Sequence, residues 1–134
     1  MREYLLNRKV AKKLYFMLEP IILMSSKLAV HQEDMNDAKK RKIILYFYFG
    51  WIWYAGGHYG LGREPVRLVT TRVFKELFQV DHAEVIDFVD SLDDSEDDDE
   101  IRRYVTEGAM AIEPFIDAGI TPSTSRLIDL LKEV

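Results

Sequence analysis

Seven carboxylates occupy eight consecutive positions: Asp93, Asp94, Glu96, Asp97, Asp98, Asp99 and Glu100, with Ser95 between them. Carboxylates at this density offer two chemistries. They can supply oxygen ligands to a hard cation, or they can create a negative field that draws in a basic partner. The first has a specific test, because a calcium-binding EF-hand loop needs Gly at position six and Glu at position twelve. Counted from Asp93 those positions hold Asp98 and Tyr104, and counted from Asp90 they hold Ser95 and Ile101. Neither frame fits, which leaves only weak, nonspecific divalent-cation binding. The negative field remains, beside a plainer role in which acids ahead of a helix cap its amides and favour its positive end.

The second candidate is the run Gly56-Gly57-His58-Tyr59-Gly60-Leu61-Gly62, followed by Arg63. Glycines ahead of a helix can cradle a phosphate. The Walker spacing fails here, since Arg63-Glu64 stands where Lys-Ser/Thr belongs, and neither the preceding strand nor the GxGxxG spacing that a dinucleotide fingerprint requires is convincing. His58, Tyr59 and Arg63 are therefore expected as contact residues for a partner, and the glycines as a flexible interhelical loop. His31, His58 and His82 are scattered without metal-ligand spacing. Asp81 and Glu84 beside His82 suit a helix cap, and Glu19, Glu107 and Glu113 read as solvated helix acids. Cysteine is absent, which excludes disulfides, thiolate metal sites and a Cys nucleophile. No catalytic residue, cofactor or metal site is predicted.

Charge divides the chain. Residues 1–63 carry eleven Lys/Arg against five Asp/Glu, and residues 64–134 carry seven against eighteen. The basic cluster Lys39-Lys40-Arg41-Lys42 stands alone in an acidic chain with no helix-turn-helix pattern, so nucleic-acid binding is not expected. The acidic block is a candidate internal partner for it. The apolar run Ile43–Ala55 has thirteen residues, short of the roughly eighteen that a bilayer needs. It reads as a buried helix rather than a membrane span. Charges interrupt the N-terminus before a signal-peptide core can form. Together these features lead us to expect a cytoplasmic protein.

The elements that must position these groups are helices. Residues 4–30 show helical spacing at Leu6, Val10, Leu14 and Met17, with a break or kink expected at Pro20 and a second piece from Ile21 to Val30. Residues 33–55 begin with acids and continue into bases, as the helix dipole favours. Their aromatic and β-branched content is also compatible with strand. Continuity with Asp34 to Lys42 decides for a helix that is apolar all round, buried, and closely approached by a neighbour at Gly50. Pro65 suits the start of the next helix, whose stripe is Val66, Val69, Val73, Phe74, Leu77 and Phe78. Asp81 and Glu84 form a candidate capping box for a short helix. The acidic block is then a loop into a helix that buries Ile101, Tyr104, Val105, Ala109, Ile112 and Ile116, with Pro114 near its end and Gly119 closing it. Thr121-Pro122-Ser123 opens the last helix. The fold class is all-α, one domain over residues 1–134 built from about six helices.

The functional expectation is a small acidic protein-binding domain. Small acidic helical proteins that neutralise bacterial toxins share this chemistry, so an immunity or inhibitor protein directed at a basic toxin or effector is the leading reading. The alternative is a helical ligand-binding domain or enzyme with a pocket under the Gly56–Gly62 loop, walled by Tyr46, Tyr48, Trp51, Trp53, Tyr54, His58 and Tyr59. A homodimer would hide apolar surface that a small bundle leaves open.

Overall fold

The computed structural model describes residues 2–134, and among these there are seven α-helices and no strand. They are α1 (Arg2–Ala29), α2 (Gln32–Asn36), α3 (Ala38–His58), α4 (Arg63–Glu76), α5 (His82–Asp90), α6 (Asp99–Ala118) and α7 (Ser125–Lys132), with a 3-10 turn at Asp94–Asp97. The residues that favoured strand are helical, and the all-α expectation holds.

Helix α3 is central because it has no polar face. Every residue from Ile43 to Ile52 is buried, and only packing on all sides can stabilise such a helix. Helices α1, α2, α4, α6 and α7 all touch it, and α6 does so over the longest stretch. The closeness of α3 and α6 has a covalent cause. A Cβ at Gly50 would stand 3.0 Å from the Ala109 amide nitrogen and collide with the Val105 carbonyl oxygen. A Cβ at Gly108 would stand 2.8 Å from the Phe47 carbonyl carbon and overlap its oxygen. Each helix therefore places a glycine against the other's backbone. Gly50 was expected to mark such a contact, whereas Gly108 was not singled out.

Two expected boundaries move. Helix α1 runs unbroken through Pro20. Pro20 is exposed, and so is Phe16, whose carbonyl loses its amide partner. Water can replace that partner, whereas a break would unseat Leu18 and Ile22, both fully buried. In the other direction, the expected helix over 33–55 is divided. Asp37 has an extended backbone and its carboxylate accepts from the Lys39 and Lys40 amides, which starts α3 afresh.

The glycine run is also less of a loop than expected. Gly56, Gly57 and His58 complete α3, and Gly56 is close-packed on Val66. Chain reversal rests on Gly60, whose φ of +68° suits glycine. The Leu61 amide returns to the Gly56 carbonyl and the Gly60 amide to the Gly57 carbonyl, which closes a Schellman motif. Helix α4 then begins at Arg63 with Gly62 as N-cap, so Pro65 falls in its first turn, where no amide is needed. Gly119, also at φ +68°, ends α6 as expected.

Buried tyrosines make stability pH-dependent. The Tyr48 hydroxyl shares a 2.8 Å hydrogen bond with Ser25, and burial pushes its pKa above the ordinary 10.0. Tyr15 is shifted the same way by burial and by its hydrogen bond to Glu76. The unfolded chain loses these protons first as pH rises, so stability is complete below about pH 10 and declines above it. Urea midpoints measured between pH 9 and pH 11 should show that decline, and Tyr48→Phe should flatten it. On the acid side, hydrogen bonds from Lys39 and Tyr15 hold the Glu100 and Glu76 carboxyls below the ordinary 4.5. Their contribution is present above that value and lost as pH falls through the folded pKa.

Candidate functional site

The acidic block spans the end of the α5 connection, the 3-10 turn and the first turn of α6. Three of its seven carboxylates are engaged within the chain. Asp93 accepts from the Arg63 guanidinium at 3.0 Å. Asp98 is the N-cap of α6 and accepts from the Glu100 and Ile101 amides. Glu100 pairs with Lys39 and stands 3.8 Å from Lys42. The rest of the basic cluster is spoken for as well, with Lys40 3.7 Å from Asp34 and Arg41 donating to Glu84 at 2.8 and 2.9 Å. Glu84 thus serves Arg41, and the Asp81 side chain makes no cap bond, so the expected capping box does not form.

Asp94, Glu96, Asp97 and Asp99 are exposed and have no ion-pair partner among the described residues. The capping role expected of the block is thus taken by Asp98, which accepts from the Glu100 and Ile101 amides. Some acids cap and brace the fold, and four remain in solvent. No group of three or more His, Asp or Glu residues among the described residues is arranged to hold a metal ion.

The segment carrying these acids forms one wall of a cleft of about 820 Å³ between α3, the start of α4 and α6. Leu92, Asp93, Ser95 and Glu96 line that wall. Phe49, Trp53 and Val105 supply apolar surface, and His58, Arg63, Arg67 and Arg102 stand among the lining residues. The cleft thus gathers His58, Arg63, Asp93 and Glu96 from the residues singled out in the sequence. Tyr59 lies elsewhere, its hydroxyl 3.5 Å from the Met17 sulfur.

Of the aromatics expected to wall a pocket, Tyr46, Trp53, Tyr54 and His58 do so. Tyr48 and Trp51 point into the core and are fully buried. Trp53 is 55% exposed and presents a large apolar ring at the cleft. Tyr54 donates to the Asp117 carboxylate at 2.9 Å, and His58 Nδ1 stands 3.6 Å from the same group. Asp117 orients both rings at the cleft edge and was not picked out from sequence. The arginines of the cleft are largely satisfied: Arg63 pairs with Asp93, Arg67 with Asp90 at 2.9 Å, and Arg102 donates to the Glu96 carbonyl at 2.7 Å.

Among the described residues no helix is long and apolar enough to cross a membrane. Comparison with protein-family models, with curated proteins and with solved structures finds no match to this chain.

Proposed function

We propose that this chain is a protein-binding domain, of the inhibitor or immunity type, that takes a basic partner at the cleft between α3, α4 and α6. One observation carries the reading: the unpaired Glu96 lines a cleft that also holds the exposed Trp53, and Asp94 and Asp97 stand on the same exposed turn as Glu96. Surface acids raise the encounter rate with a basic protein, and a desolvated aromatic anchor supplies lasting affinity. The two parts predict separable kinetics. With the basic partner recovered by low-salt pull-down, Asp94→Asn/Glu96→Gln/Asp97→Asn should slow association about tenfold and flatten its salt dependence, leaving dissociation unchanged. Trp53→Ala should instead speed dissociation about tenfold. An association rate unaffected by the triple substitution sinks the steering role.

A second reading is favoured by the cleft volume, which falls in the range of small-molecule sites. It makes the chain a ligand-binding domain whose aromatic wall is Tyr46, Trp53 and Tyr54. The two tryptophans discriminate, because Trp51 is buried and Trp53 is at the cleft. A fluorescence change on ligand addition that vanishes in Trp53→Phe supports this reading.

A further inference from the structure

The positive half of the molecule has its own unpartnered surface. A groove of about 430 Å³ runs between the N-terminal half of α1 and α4, floored by Tyr15 and Leu68 and edged by Arg8, Lys9, Lys12 and Arg72. No carboxylate lines it. Arg8, Lys9 and Lys12 have no ion-pair partner among the described residues, and Arg72 alone is paired, with Glu76 at 3.2 Å. Arg72 also lies over the Tyr15 ring at 4.0 Å, which holds its guanidinium at the groove. The groove shares no lining residue with the cleft beside the acidic segment.

Opposite charges of similar number are thus left unsatisfied on two separate surfaces of one chain. Within the chain, neither neutralises the other. We propose that the groove receives the Asp94–Asp97 turn of a second copy, giving head-to-tail association at low ionic strength. Charge complementarity selects that occupant. Asp94, Glu96 and Asp97 present three unpaired carboxylates on a short exposed turn, and the groove presents three unpaired cations around an apolar floor. Such an interface is heterologous, so a pair of copies keeps one free groove and one free turn between them, and assembly continues with concentration. Surface charge pairs are screened by salt, so the same assembly dissolves as ionic strength rises. The inference uses the carboxylates invoked for partner capture but does not require a foreign partner.

Complementing variants test it. Asp94→Asn/Glu96→Gln/Asp97→Asn keeps the groove, and Lys9→Gln/Lys12→Gln keeps the turn. All five positions are exposed, and circular dichroism would verify that both variants fold. In sedimentation velocity at about 20 mM salt, the unsubstituted chain should gain average mass with concentration and return to a single chain at about 0.5 M salt. Each variant alone should stay a single chain, and an equimolar mixture should form a one-to-one dimer that grows no further. A chain that stays single under every condition overturns the proposal, as does a mixture that fails to dimerise. Binding of a DNA oligonucleotide or of phosphatidylserine vesicles at the groove, with the chains remaining apart, overturns it in favour of that polyanion. Lys9→Gln/Lys12→Gln should leave capture of a basic partner at the cleft intact, so this inference and the proposed function fail separately.

Discussion

Gly108→Ala should destabilise the protein by about 3 kcal/mol, at the upper end of what one added methyl does in a packed interior. The added carbon would meet the Phe47 carbonyl, a backbone group that cannot swing aside. Relief requires α3 and α6 to move apart, which opens the tightest seam of the fold along its length. Gly50→Ala should act in the same direction and for the same reason, against Val105 and Ala109. The two substitutions together should cost less than their sum, because one separation of the helices accommodates both. Gly57→Ala is the internal control. It also lies in α3, but nothing stands within 4 Å of its added carbon. It should stabilise by about 0.5–1 kcal/mol through helix propensity. Urea midpoints of the three single variants and the double variant check these effects. Equal effects at Gly108 and Gly57 would mean that α3 and α6 do not approach as described.

The legible parts of this fold share a physical property: they are local. Gly50 could be read because a residue without a side chain interrupts an otherwise bulky apolar run. That Ser95 or an Asp of the block caps α6, a role Asp98 takes, and that Gly119 ends it follow from rules that span three or four residues. Gly108 was missed because it is followed by Ala109 in a small-residue stretch where its size raises no contrast. Pro20 misled because the local cost of proline is weighed in the folded chain against burial of Leu18 and Ile22, which only tertiary structure decides. The site divides along the same line. Its acids and aromatics were visible, but the choice of which acids remain free depends on partners 30 to 61 residues away, such as Arg63 for Asp93 and Lys39 for Glu100. Because α3 is apolar on every side, its periodicity carried no phase, and nothing in the sequence separated Trp53, at the cleft, from Trp51, in the core.

Trp51 gives the other large effect. Trp51→Ala should cost about 4 kcal/mol, since it empties the space of a fully buried indole amid Phe47 and Tyr48. Trp51→Phe should cost about 1 kcal/mol, far less than a share proportional to the atoms removed. The reason lies in Nε1, the one buried side-chain nitrogen or oxygen among the described residues without a hydrogen-bond partner. An orphaned buried donor carries a desolvation penalty of about 1–3 kcal/mol. Phenylalanine removes that donor while keeping an aromatic ring in contact with Tyr48, so relief of the penalty offsets much of the void. Thermal or urea unfolding of the two variants measures the difference directly. If Trp51→Phe proves nearly as costly as Trp51→Ala, Nε1–H is satisfied after all. The Tyr48 ring, whose centroid lies 5.1 Å from that of Trp51 with the planes inclined at 66°, is then the acceptor to examine.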